Sequence, residues 1–64
     1  MIVEFLLYRS PYGWFCIASK NLTVVPQVGT DVTITEEGSS DKETYKVKDV
    51  ELDVDFPKYI VYLS

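Results

Sequence analysis

A chain of 64 residues makes one small domain, spanning residues 1–64, and leaves no room for a second. With no histidine and a single cysteine it cannot build a zinc site or an internal disulfide, and its net charge of −4 disfavours a nucleic-acid backbone as partner. No segment approaches the ~20 apolar residues of a membrane-spanning helix.

Met1 to Arg9 predicts a strand. Val3, Phe5 and Leu7 fall on one face, and Ile2, Glu4, Leu6 and Tyr8 on the other. Both faces are largely apolar, as expected for a central strand or one that meets a second chain. Glu4 sits where a signal peptide would be basic and no cleavage site follows, so the chain reads as a complete soluble product. Ser10-Pro11-Tyr12-Gly13 is a turn, with Pro presetting φ and Gly free to take a positive one. Trp14 to Ala18 returns as the second strand of a hairpin. Cys16 lies in the apolar run Trp14–Ala18 and reads as a small buried hydrophobe. The absence of disulfide pairing fits a reducing, cytoplasmic compartment.

Leu22 to Val25 is a short β-prone run ended, or confined to an edge, by Pro26. A turn over Pro26–Asp31 then enters a strand with Val32 and Ile34 inward and Asp31, Thr33 and Thr35 outward. Glu36 to Lys42 is the most polar stretch and reads as a solvated hairpin tip, with a contact site as the alternative. Tyr45 to Phe56 predicts a long strand whose phase slips at Lys48-Asp49, the mark of a β-bulge or bend that lets one strand serve both halves of a barrel. Phe56-Pro57-Lys58 is a tight turn, and Tyr59 to Leu63 is the last strand. Five to six short antiparallel strands with tight turns make an all-β small barrel or sandwich. A chain of this size buries only roughly 60% of the surface its unfolded form exposes. Its one Trp, five Tyr and three Phe therefore carry much of the core, and Trp14 and the Phe residues are expected there.

The segments P-Q-V-G-T-D-V-T-I (Pro26 to Ile34) and Y-K-V-K-D-V (Tyr45 to Val50) resemble the turn and following strands of SH3-like small barrels. The ending through Y-I-V-Y-L-S is also similar to short bacterial and phage proteins. The resemblance covers residues 26–64 and implies an SH3-like barrel. The peptide-binding motif of signalling SH3 domains is absent, so the resemblance implies a fold and no activity.

Two sets of residues stand out as sites. From Val50, apolar and acidic residues alternate, placing Val50, Leu52, Val54 and Phe56 on one face and Asp49, Glu51, Asp53 and Asp55 on the other. Carboxylates spaced about 6.5–7 Å apart along a strand match the step of a nucleic-acid backbone and could imitate one. The alternative is a solvated face that guards a strand edge, with Lys46, Lys48 or Lys58 across from it. The second set is Tyr8, Tyr12, Trp14, Tyr59 and Tyr62, side chains suited to binding hot spots or to base stacking, with Tyr12 the most exposed. Asp49, Glu51, Asp53, Asp55, Tyr12 and Tyr62 are the candidate protein-binding residues. No arrangement suggests catalysis, a metal or a cofactor.

The sequence therefore predicts a non-enzymatic interaction module whose partner is a protein or a second copy of itself. The alternatives are an inhibitor presenting the carboxylate row as a nucleic-acid mimic and a single-strand binder using the aromatic face.

Overall fold

The computed structural model describes all residues from Met1 to Ser64, and every regular element is a strand. The strands are β1 (Ile2–Arg9), β2 (Gly13–Asn21), β3 (Asp31–Thr35), β4 (Lys42–Asp53) and β5 (Lys58–Leu63). There is no helix, hence none long and apolar enough to cross a membrane. The strands form one five-stranded sheet in the order β2-β1-β5-β4-β3, curled into a half-barrel.

The expected all-antiparallel arrangement is corrected at one ladder. β1 and β5 run parallel, from Ile2 opposite Lys58 to Leu7 opposite Leu63. The chain reverses at each connection, so odd-numbered strands share a direction. Placing the first strand beside the last therefore makes a parallel pair. This is a long-range choice that no local turn encodes.

Two bulges shape the sheet. In β2 the register passes from Phe5 opposite Ala18 to Leu6 opposite Cys16, so Ile17 is the extra residue. Both Ile17 and Ala18 are buried, which doubles the contribution of β2 to the core at that point. In β4 the register passes from Val47 opposite Leu63 to Asp49 opposite Tyr62, leaving Lys48 as the extra residue where the alternating pattern slips. Residues 42–46 of β4 pair with β3, and residues 47–53 pair with β5. The bend is held from outside. The Gly29 N–H donates to the Val47 carbonyl (2.9 Å), and the Val47 N–H donates to the Thr30 carbonyl (2.9 Å). Gly29 makes this approach at φ +90, where a side chain would strain the backbone.

The core is Val3, Phe5, Ile17, Ala18, Ile34, Val47, Val61 and Leu63, with Leu7, Leu22, Val25, Val32, Tyr45, Val50 and Tyr59 packed around it. Several expectations fail here. Trp14 and Phe15 are both 42% exposed and Phe56 is 71% exposed, so Phe5 is the one Phe in the core. Cys16 is exposed, on the outer face of the sheet. Leu22–Val25 is not a strand, although Leu22 and Val25 still pack inward. β4 begins earlier than expected and ends at Asp53, not Phe56.

The cause of that ending is local. The Asp53 carboxylate accepts hydrogen bonds from the N–H groups of Asp55 (3.1 Å) and Phe56 (3.3 Å), and this turns the chain. Val54 and Phe56 leave the ladder and stay exposed. Leu52 keeps its inward parity, but β3 covers only the first half of β4, so this end of the half-barrel is open.

The Glu36–Lys42 segment is more than a solvated tip. Its first residues clasp β2 and the end of β1 across the seam of the half-barrel: the Glu37 N–H donates to the Ile17 carbonyl of β2 (2.9 Å), and Glu36 pairs with Arg9 of β1 at 2.6 Å.

Candidate interaction surface on the outer sheet face

The registers decide which side chains share the outer face. Across β1 and β2, Tyr8 stands opposite Trp14 and Leu6 opposite Cys16. Across β1 and β5, Leu6 stands beside Tyr62 and Glu4 beside Ile60. Across β5 and β4, Tyr62 faces Asp49, Ile60 faces Glu51 and Lys58 faces Asp53. The aromatic set and the acidic row, separate in sequence, thus meet on one surface along β5.

Three of the five aromatic candidates form a connected group. Trp14 packs edge-on against Tyr8 (centroids 5.5 Å apart, planes at 75°) and against Tyr62 (5.0 Å, 78°). This is the geometry that aromatic quadrupoles favour. Tyr59 has the other parity and packs against the core. Tyr12 is 79% exposed at the tip of the β1–β2 hairpin and takes no part in these ring pairs.

The acidic row is shorter than its spelling. Asp49, Glu51 and Asp53 lie in the β4 ladder, whereas Asp55 sits in the following turn. Asp53 is occupied by the two N–H groups that it caps. The lysines do not neutralise what remains. Lys58 pairs with Glu4 (3.1 Å) and Lys46 with Asp31 (3.0 Å), and neither Asp49 nor Glu51 is in an ion pair. Asp49 accepts one short-range bond, from the Val50 N–H at 2.9 Å. Two free carboxylates therefore stand next to exposed rings.

That neighbourhood is felt by Tyr62. Desolvation of its phenol comes first, followed by the charges of Glu51 and Asp49, and together they raise its pKa above the usual tyrosine value. Cys16, across the same face, is also held neutral. Its pKa is raised chiefly by desolvation and then by Glu4, so the exposed thiol is not activated.

Lys48, which the sequence marks only as the site of the phase slip and as a charge across from the acidic row, stands against Trp14 instead. The bulge frees it from the ladder, and its ammonium lies 5.7 Å from the centroid of the Trp14 ring. Trp14, Lys48, Asp49, Glu51 and Tyr62 line a shallow cleft of about 280 Å³. The signal for the aromatic part was present: Tyr8 and Trp14 are equally spaced about the hairpin turn, and Tyr62 has the parity of the outward-facing Ile60. What was missing was the parallel β1–β5 ladder that brings them together.

Comparison with known proteins adds nothing to this geometry: no family model matches the chain, and no curated protein or solved structure is detectably similar to it.

Proposed function

We propose that this chain is a non-enzymatic interaction module of the cytoplasm, an SH3-like small barrel that binds a protein partner through the outer face of its sheet. The single observation that carries the reading is the connected Tyr8–Trp14–Tyr62 group, with Tyr8 and Trp14 exposed and Tyr62 half-buried, beside the unpaired carboxylates of Asp49 and Glu51. Large rings bring contact area at low entropic cost, and adjacent free charges supply direction. The SH3-like part is supported by the contact between the two segments that carry the resemblance, since Gly29 and Thr30 hydrogen-bond Val47.

The other readings have less support. A backbone mimic needs an extended row of free charge, and here Asp55 leaves the row and Asp53 is engaged in a turn. A base-stacking surface needs cations around its rings. This one sets a single ammonium, Lys48, against two carboxylates, and the nearby Arg9 is paired with Glu36. Catalysis is disfavoured because Cys16 and Tyr62 both shift towards the neutral form, the wrong direction for a nucleophile or a base.

The test is capture of partners on immobilised protein, comparing wild type with Trp14→Ala and with the double variant Asp49→Asn/Glu51→Gln. Each variant is first checked for native circular dichroism. A partner held by wild type and lost by both folded variants supports the reading. A partner held equally by all three places binding elsewhere. Self-association has its own observation: residues 49–53 of β4 pair in the sheet only with β5 and leave an open strand edge, whereas the far side of β2 is partly taken up by Glu37 at Ile17 and Ser19. A molecular mass that rises with concentration in light scattering would favour that route.

A further inference from the structure

The position of Lys48 says more about the partner than the rings and carboxylates do alone. Two shallow clefts meet at Trp14 and Lys48. One is lined by Leu7, Tyr8, Leu63 and Ser64 besides those two residues, and the other by Asp49, Glu51 and Tyr62. The ammonium of Lys48 lies over the Trp14 ring at the junction. A cation there is attracted by the ring's negative face and by the two free carboxylates, Asp49 and Glu51. Lys48 reaches this place because the β4 bulge makes it the one residue without a ladder partner between Val47 and Asp49.

We infer that Lys48 is an internal stand-in for a cationic side chain of the partner. On this view the surface recognises a basic protein segment, whose arginine or lysine displaces Lys48 from Trp14 and is held between the ring and the carboxylates. The inference rests on the protein-binding reading above and names the chemistry of that same site. The rings supply contact, Asp49 and Glu51 supply the charge preference, and Lys48 sets a threshold that weak cations do not cross. Because Trp14 and Lys48 line both clefts, displacement of Lys48 opens the junction between them.

Trp14 is the only tryptophan in the chain, so its emission reports on the site directly. The experiment titrates the whole protein with a hexa-arginine peptide, and separately with a hexaglutamate peptide, while following Trp14 fluorescence. A saturable change with hexa-arginine alone is expected. Lys48→Gln is expected to bind hexa-arginine about two- to five-fold more tightly, the weight of one exposed cation–π contact. Lys42→Gln removes the same charge at the start of β4 and controls for net charge; it is expected to change affinity less than Lys48→Gln does. Asp49→Asn/Glu51→Gln is expected to weaken binding about ten-fold, as befits loss of two charges facing a polycation.

Unchanged or weaker binding by Lys48→Gln, or an equal gain in Lys42→Gln, would overturn the stand-in role. Absence of any response to hexa-arginine in wild type and Lys48→Gln alike would overturn the basic-partner assignment. Neither result touches the broader reading if a captured partner is still lost on Trp14→Ala and is simply not displaced by hexa-arginine. If capture is indifferent to Trp14, Asp49 and Glu51, the broader reading itself fails.

Discussion

On the inner face of the sheet, Val3, Phe5, Val47, Val61 and Leu63 are sealed from solvent. On the outer face of the same strands, Leu6, Tyr8, Ile60 and Tyr62 are only partly covered or exposed, and Trp14 joins them from β2. Both faces carry large apolar side chains, the outer one with Glu4, Asp49 and Glu51 among them. They differ in what lies against them: the curl of the sheet, together with β3, closes over the inner face, while nothing in the chain lies over the outer one. Apolar content is therefore a guide to which surfaces can be buried, not to which ones the chain buries itself. An apolar face left open beside free charges is a binding surface in waiting.

The comparison can be broken from either side. The largest effect is expected on the inner face, where Leu63→Ala should destabilise by about 2–5 kcal/mol, as buried leucines do. Urea unfolding would read it, and a domain with so few buried residues would come close to losing its fold. On the outer face, Trp14→Ala removes a larger side chain and two ring pairs, yet only about 1–2 kcal/mol should go, because the ring is already partly in water. If the two substitutions cost the same, the faces do not differ as described.

Within the acidic row the contrast sharpens further. Asp53→Ala should cost about 1 kcal/mol through the two turn N–H groups that it leaves unpaired. Glu51→Ala should fall within about 0.5 kcal/mol of wild type, having no internal partner to lose. Equal effects in thermal melts would remove the distinction between a structural and a free carboxylate.

The smallest effect belongs to Tyr62. Its pKa is raised in the folded protein, so the neutral phenol is the favoured form. Its contribution to stability is whole below the unfolded value of about 10 and is lost as pH rises through the higher folded value. Alkaline titration at 295 nm should show one late tyrosine that disappears in Tyr62→Phe and moves earlier in Asp49→Asn/Glu51→Gln. A late transition that survives Tyr62→Phe belongs to another residue.

Much of the strand plan was legible from local pattern. The alternation in Met1–Arg9 and Val32–Ile34, the turn at Ser10–Gly13 and the slip at Lys48-Asp49 each rest on the pleat of a strand or on a single backbone preference, and each is where the structure has it. The errors share a cause. Trp14, Phe15, Cys16 and Phe56 were expected to be buried because they are apolar, but burial depends on a covering element that their own neighbourhood does not specify. The acidic row was overextended at Asp55 because alternation of residue type continues past Asp53, whereas the ladder stops once that carboxylate captures two backbone donors.

What the sequence alone determined is therefore the approximate course of the five strands, the parity of β1, β3 and β4, and the bend in β4, since period two and turn chemistry act over a few residues. Only the tertiary structure decided that β1 lies parallel to β5, which half of β4 is covered, and which apolar face meets solvent. Those outcomes depend on contacts between residues as far apart as Leu7 and Leu63. They also assemble the candidate site: the β4–β5 ladder sets Tyr62 against Asp49, but Tyr8 and Trp14 join that pair only when the first strand is laid beside the last.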